Sequence, residues 1–198
     1  MTTYTSGDNS ILNAALQYAK EGWPVEPLRG KVPLTKHGVK DATTDEAQIR
    51  EWYTKWANAN IGLATGKVSG RLVLDIDVKK GHRGDESLRE LEEQYGALPI
   101  TLKSRTASGG WHYVFRMPVS PVKSRNGVRD GIDLLADGKY FVAPPSTIGD
   151  KSYRWVELAD VAACPDWIAA LGKDMDDEAD EESPEDRIHS LVLELFPN

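Results

Sequence analysis

Two aspartates one residue apart, Asp75 and Asp77, carry the strongest chemical signal in the sequence. They lie in the segment 71–78, where every second residue is apolar: Leu72, Leu74, Ile76 and Val78. This period of two predicts a β-strand whose two carboxylates share one face, with Cα atoms about 6–7 Å apart. The carboxylates repel each other unless a cation joins them, and oxygen ligands suit Mg²⁺ or Mn²⁺. The pair therefore predicts a divalent metal site, with a solvated sheet face as the alternative.

A glycine-rich turn followed by a histidine occupies residues 106–112. Ser108 and Gly109 lie in a turn that would expose successive backbone N–H groups, an arrangement that suits a phosphate. His112 begins the next predicted strand and shares a face with Arg116, so an imidazole and a guanidinium could hold a polyphosphate together. The alternative is an ordinary hairpin turn with a hydrogen-bonded histidine.

A third acid, Asp133, lies in the apolar segment 131–135. Taken alone, it is better explained as a structural residue than as a ligand. It would join Asp75 and Asp77 only if its strand lay beside the segment 71–78. In that arrangement the three carboxylates would form one cluster.

Several other chemistries are excluded by residue type or spacing. The segment 62–67 resembles a phosphate-binding P-loop, but it has three residues between its glycines instead of four, and Val68 replaces the required Ser or Thr. Cys164 is the single cysteine among 198 residues, so an internal disulfide or a cysteine-based zinc site cannot form. No apolar run reaches the roughly 18 residues of a membrane span. Because there is a single cysteine, we expect a protein of the reducing cytoplasm.

The net charge of −7 is unevenly distributed along the chain. Residues 174–198 hold ten acids and one arginine, a net −9, which leaves +2 for the remaining residues. The charge of this larger part therefore does not exclude a nucleic-acid partner. We expect one domain over residues 1–173, followed by an acidic linker and a terminal helix over residues 174–198.

The elements predicted around these residues belong to a mixed fold. Hairpins are expected over residues 100–117 and 131–143, and a last helix of the domain over residues 159–171. Because hairpins follow an early strand–helix unit, an α+β fold is favoured over a doubly wound parallel sheet.

Taken in order, these segments resemble the bifunctional DNA primase/polymerase (prim-pol) family of the archaeo-eukaryotic primase superfamily. The likeness runs from Ala14 to about Trp155. The segments that carry it are 15–19, 22–25, 30–34, 38–45, 60–66, 74–77 (Leu-Asp-Ile-Asp), 106–112 (Thr-Ala-Ser-Gly-Gly-Trp-His), 131–133 (Gly-Ile-Asp) and 143–146 (Ala-Pro-Pro-Ser). The resemblance implies an RRM-like catalytic half packed against a smaller N-terminal α/β half, with the active-site cleft between them.

The resemblance also implies a role for each candidate residue. Asp75, Asp77 and Asp133 match the catalytic acids that hold two Mg²⁺ or Mn²⁺ ions, without zinc. His112 and Ser108 match the motif that contacts the phosphates of the incoming nucleotide, where His112 and nearby cations would offset negative charge. Weaker candidates are Gly109, Arg116 and Lys31 for the nucleotide, and Lys79, Lys80, His82 and Arg83 for DNA.

The activity implied is template-directed nucleotidyl transfer, the primase and DNA polymerase reaction of phage or plasmid replication proteins. Its partners would be a DNA template with primer and dNTP or NTP, with no membrane. A helicase or helical domain is expected downstream. Two other functions remain open: a non-catalytic nucleotide- or DNA-binding module with the same fold, and a metal-dependent nuclease, which would also use clustered acids.

Overall fold

The computed structural model describes residues 11–79, 81–120 and 122–172. Lys80 and the linker and terminal helix predicted over residues 174–198 lie outside these ranges. The described helices are α1 (Ile11–Lys20), α2 (Glu46–Lys55), α3 (Gly84–Tyr95) and α4 (Asp166–Leu171), with a 3-10 helix at Gly38–Asp41. None of these described helices is long and apolar enough to cross a membrane.

The strands form two large sheets and one small hairpin. Sheet A has the order β2-β1-β3-β9: β1 (Val25–Arg29), β2 (Val32–Pro33), β3 (Asn60–Ala64) and β9 (Tyr140–Ala143). Sheet B has the order β12-β5-β6-β4-β8-β7: β4 (Arg71–Ile76), β5 (Lys103–Arg105), β6 (Trp111–Arg116), β7 (Arg125–Arg129), β8 (Ile132–Leu135) and β12 (Arg154–Glu157). The short β13 (Ala162–Ala163) runs parallel to β6, and β10 (Thr147–Ile148) pairs with β11 (Lys151–Ser152). The mixed fold with mostly antiparallel sheets confirms the α+β prediction.

The alternation predicted for the central strand β4 places its two faces in different cores. Leu72, Leu74 and Ile76 are fully buried in a core that includes residues of α3 and α4. Val73, on the opposite face, is buried in a core shared with α1, α2 and sheet A. Helices cover one face of sheet B, and Asp75 of β4 lies on the other face with Val73, toward the N-terminal half (α1, α2 and sheet A).

The hairpin predicted over residues 131–143 is wrong, since β8 and β9 belong to different sheets. The chain leaves β8 at a turn that is anchored to the end of β3. Thr65 Oγ1 donates to the carbonyl oxygen of Ala136 at 2.6 Å, and Asp137 Oδ1 accepts from Lys67 N at 2.6 Å. These non-local bonds direct the following strand into sheet A, where it pairs with β3.

Two further differences concern the segments that flank β8. The predicted helix over residues 159–171 is limited to α4, because Pro165 precedes it and β13 pairs with β6 before it. Strand β7 has no counterpart in the sequence predictions, since its Asn126-Gly127 pair is typical of a turn rather than a strand.

A buried hydrogen-bond chain centred on Tyr18 connects α1 to both of the large sheets. The Tyr18 hydroxyl donates to the carbonyl oxygen of Pro144 at 2.7 Å and accepts from Trp155 Nε1 at 2.8 Å. Tyr18 is 1% exposed, so water cannot replace either bond. A single hydroxyl therefore ties α1 to the segment after β9 and to β12.

We predict that Tyr18→Phe lowers the free energy of unfolding by about 1–3 kcal/mol, because it leaves a buried donor and a buried acceptor unpaired. Urea denaturation followed by circular dichroism measures the change. Thr54→Ala removes an exposed hydroxyl from α2 and serves as the control, with a change within about 0.5 kcal/mol. Equal midpoints for the two variants would contradict the role assigned to Tyr18.

Candidate active site

Four polar side chains form a row across the strands of sheet B. In the register of these strands, Asp75 of β4 is paired with His112 of β6 on one side and with Asp133 of β8 on the other. His112 is paired in turn with Ser104 of β5. Directly paired residues of antiparallel strands project from the same face, so these four side chains lie side by side. The condition set for Asp133 by the sequence, a strand beside β4, is met.

Asp75 lies at the centre of this row and experiences opposing electrostatic effects. Its side chain is 32% exposed, and its Oδ1 lies 3.5 Å from His112 Nε2. Burial, followed by the negative charge of Asp133, raises the pKa of Asp75 to about 7, although the charge of Lys31 opposes the shift. A cation close to Asp75 would therefore relieve an unfavourable ionisation.

His112 is neutral at physiological pH. His112 is 4% exposed, and burial together with the charge of Lys31 lowers the pKa of its imidazole to about 3. Its contact with Asp75 is thus a polar contact to a neutral ring and not an ion pair. The ring stacks with Tyr153 at a centroid distance of 6.0 Å and meets Phe141 edge-on at 5.2 Å, while Nδ1 lies 3.3 Å from Ser104 Oγ. His112 therefore contributes hydrogen bonding rather than the positive charge expected from the sequence.

Asp77 follows the end of β4, where two glycines allow neighbouring segments to lie close to the backbone. Its N–H donates to the carbonyl oxygen of Gly131 at 2.7 Å. A Cβ at Gly131 would lie 2.6 Å from Asp77 O, and a Cβ at Gly110 would lie 2.0 Å from Ile76 O. Gly110, the second glycine of the predicted phosphate turn, thus allows the start of β6 to lie close to the end of β4.

A cavity of about 350 Å³ brings the three acids together. Its lining consists of charged residues and glycines: Asp75, Asp77, Lys79, His82, Gly127, Arg129, Asp130, Gly131 and Asp133. Lys79 Nζ forms an ion pair with Asp77 Oδ2 at 2.5 Å; although burial opposes it, hydrogen bonding to Lys79 holds the pKa of Asp77 below its usual value. His82 Nδ1 lies 3.2 Å from Asp130 Oδ1. Sequence reasoning missed Arg129 and Asp130, because β7 carries no clear alternation.

The carboxylates line one cavity without converging on a single point. Asp133 Oδ1 accepts from Gly127 N at 2.6 Å, and Asp77 is engaged by Lys79. Within the described ranges no group of three or more His, Cys, Asp or Glu side chains is gathered for a metal ion. The residue types suit a divalent cation, but the carboxylates are not gathered around one point in this structure.

The remaining predicted residues divide into near and distant ones. Lys31 lies in the β1–β2 turn of the N-terminal half, and its charge acts on both Asp75 and His112. Ser108 is exposed in the β5–β6 turn beside Gly109, and its Oγ lies 3.0 Å from Thr106 Oγ1. Arg116 lies at the far end of β6, where its guanidinium donates to the carbonyl oxygen of Val161.

Arg83 lies at the start of α3 and pairs with Glu86. It does not line the cavity of the acids. The structure thus brings Lys79 and His82 to the acids but leaves Arg83 and Arg116 apart from them.

We predict that Asp75→Asn stabilises the metal-free protein at pH 8 but not at pH 4. The folded-state pKa of Asp75 is raised from 3.8 to about 7, so the cost of its ionisation appears as pH rises between these values. The difference between variant and wild type should grow by about 1–4 kcal/mol over this range. Denaturation in chelator at several pH values measures it.

Asp150→Asn, on an exposed turn, is the matched control for this series. If the difference in unfolding free energy between Asp75→Asn and the wild type did not change with pH, the pKa of Asp75 would not be raised. Millimolar Mg²⁺ or Mn²⁺ should reduce the advantage of the variant, because the ion stabilises the wild-type carboxylate.

We also predict that Gly110→Ala destabilises the fold by about 1–3 kcal/mol, because the new Cβ collides with the carbonyl oxygen of Ile76. Gly70→Ala is the control: Gly70 has a φ of +67°, but a Cβ added there would meet nothing within 4 Å, so this variant tests backbone strain alone. Thermal unfolding compares the two. A smaller effect at Gly110 than at Gly70 would contradict the collision.

The comparisons with known proteins identify the family of this chain. The family model for the bifunctional DNA primase/polymerase N-terminal domain (Prim-Pol) matches residues 15–167. A search of curated proteins returned no match. The matched range contains the three acids, His112 and the cavity, and covers most of the chain. The chain therefore belongs to the bifunctional DNA primase/polymerase, N-terminal (Prim-Pol) family.

Proposed function

We propose that this chain is a DNA-directed nucleotidyltransferase that extends a primer on a DNA template, using two Mg²⁺ or Mn²⁺ ions held by Asp75, Asp77 and Asp133. Membership of the Prim-Pol family implies DNA and nucleotide substrates in general. The observation that carries the finer proposal is the register of β4 and β8, which pairs Asp75 with Asp133 beside a cavity that also contains Asp77.

The raised pKa of Asp75 supports the metal proposal independently of the family. Adjacent carboxylates on the central strands of a sheet are unfavourable without a cation. Lys31 and Lys79 offset part of this charge, but each lysine is a flexible side chain with a large exposed fraction. Bound ions would activate the primer 3′-hydroxyl and stabilise charge on the triphosphate and the leaving pyrophosphate.

Each residue around this proposed metal site would have a separate role. Asp75, Asp77 and Asp133 would hold the ions, with Lys79 leaving Asp77 as they bind. The neutral ring of His112 would orient Asp75 through Nε2 and, with nucleotide bound, donate a hydrogen bond to a phosphate oxygen. Lys31 would approach the triphosphate from the N-terminal half, and Lys79 and His82 would contact DNA phosphates at the cavity mouth.

The sheet order supports an RRM-like catalytic half. Strands β5-β6-β4-β8 are adjacent in that order, and α3 connects β4 to β5. This is the arrangement of a split βαβ unit, whose helices cover one face and leave the other free. The proposed site lies on β4 and β8, on the face of sheet B opposite α3 and α4, and the N-terminal half would form the other side of the cleft.

From the resemblance given in the sequence analysis, we propose a role in phage or plasmid replication, with a helicase or helical domain as partner. The requirement for Mn²⁺ or Mg²⁺ and the polymerase activity can both be tested with this chain. A labelled primer–template incubated with dNTPs and Mn²⁺ or Mg²⁺ distinguishes the three functions considered. Extension identifies a polymerase, shortening a nuclease, and no change a binding module.

We predict that Asp75→Ala, Asp77→Ala and Asp133→Ala each reduce extension by at least about a hundredfold, because each removes a proposed ligand of the ions. Asp160→Ala, an exposed acid outside the cavity, should retain wild-type extension. Melting curves confirm that each variant is folded. A variant of the three acids that extends primers at the wild-type rate would remove that residue from the proposed site.

A further inference from the structure

The N-terminal half contains two adjoining recesses that are separate from the cavity of the acids. The larger, about 680 Å³, is lined by residues that include Lys36, Trp52 and Lys55. The smaller, about 320 Å³, includes Arg29. Both are lined by Leu34 and Trp56, so the Trp56 side chain forms part of the wall between them.

The acidic side chains around the recesses have partners, whereas three of the basic ones form no ion pair in the described ranges. The acids of the larger recess are already engaged: Asp41 Oδ1 lies 3.0 Å from His37 Nδ1, and Asp45 accepts from the first backbone N–H groups of α2. Arg29, Lys36 and Lys55 form no ion pair with any residue in the described ranges, whereas Arg50, elsewhere on α2, pairs with Glu46 at 3.7 Å. The recesses therefore present cations without an ion-pair partner in the described ranges beside two indole rings.

We propose that these two recesses bind consecutive nucleotides of the single-stranded DNA template, with bases stacked against Trp56 and Trp52 and phosphates contacted by Arg29, Lys36 and Lys55. Aromatic rings bind any base through its π-face, and cations alongside them follow the backbone. Lys55 Nζ already lies 4.6 Å from the centre of the Trp56 ring, so one side chain pair presents both elements. The inference rests on the proposed function, because that function supplies the template strand.

The chain connects the recesses directly to the proposed active site. Leu34 of the shared wall lies three residues after Lys31, a separation of about 10 Å at most in extended chain. The charge of Lys31 acts on Asp75 and His112, while Leu34 to His37 line the larger recess. A template that passes the active site would therefore need to continue only a short distance to reach the recesses.

The test is binding of a labelled single-stranded oligothymidine to the full chain, measured by fluorescence anisotropy in chelator without nucleotide. We expect Trp56→Ala to weaken binding by about tenfold and Trp56→Phe to remain close to wild type, because stacking contributes about 1–3 kcal/mol per base. The double variant Lys36→Gln, Lys55→Gln should reduce the salt dependence, with a slope lower by about 1–1.5. Arg50→Gln is the matched control on the same helix.

Duplex DNA of equal length and free dTTP are the comparison ligands. The proposal requires that the double lysine variant and Trp56→Ala leave duplex binding unchanged and that millimolar dTTP fails to compete with the oligonucleotide. Wild-type affinity and salt slope in the double lysine variant would overturn it even if Trp56→Ala were misfolded. Effective competition by dTTP would also overturn it, since the recess would then be a mononucleotide site.

This assay separates the inference from the proposed function. Asp75→Ala should bind the oligonucleotide like the wild type while failing to extend primers. If the recess variants lose binding but the wild type extends no primer, the proposed function fails, and the recesses remain as a site for single-stranded DNA that is not a polymerase template. If the wild type extends primers and the recess variants bind normally, the template site fails alone.

Discussion

The pairing of Asp75 with Asp133 across β4 and β8 is the constraint on which the proposed site depends. The register places two carboxylates side by side on the central strands of sheet B, and burial with the charge of Asp133 raises the pKa of Asp75 to about 7. Such a pair lowers stability whenever both groups are ionised. The pair lines a charged cavity, where a bound cation would offset the repulsion between the two carboxylates.

The two-sided construction of sheet B makes this pairing possible. Leu72, Leu74 and Ile76 bury one face of β4 against α3 and α4, which supplies the hydrophobic stabilisation of the strand. On the other face, Val73 is buried in the core shared with the N-terminal half, and Asp75 lies two residues further along the strand. One face of β4 thus serves packing alone, whereas the other combines packing at Val73 with the proposed site at Asp75.

The environment of the site is set as much by backbone contacts as by charges. Gly110 and Gly131 allow neighbouring segments to approach the Ile76–Asp77 peptide more closely than any side chain would permit. Phe141 and Tyr153, which belong to sheet A and to the segment preceding β12, contact His112 and exclude water from its ring. The N-terminal half therefore contributes to the site both through Lys31 and by keeping His112 neutral.

Local sequence patterns were sufficient to predict the alternation of β4, the turn before His112 and the membership of the family. Such features depend on a few neighbouring residues, whose arrangement local geometry fixes. Only contacts between distant segments determine that β8 pairs with β4 rather than with β9, because bonds from Thr65 and Lys67 redirect the chain after Ala136. The same holds for the neutral state of His112 and the remote position of Arg116, since desolvation and strand position depend on residues far apart in the chain.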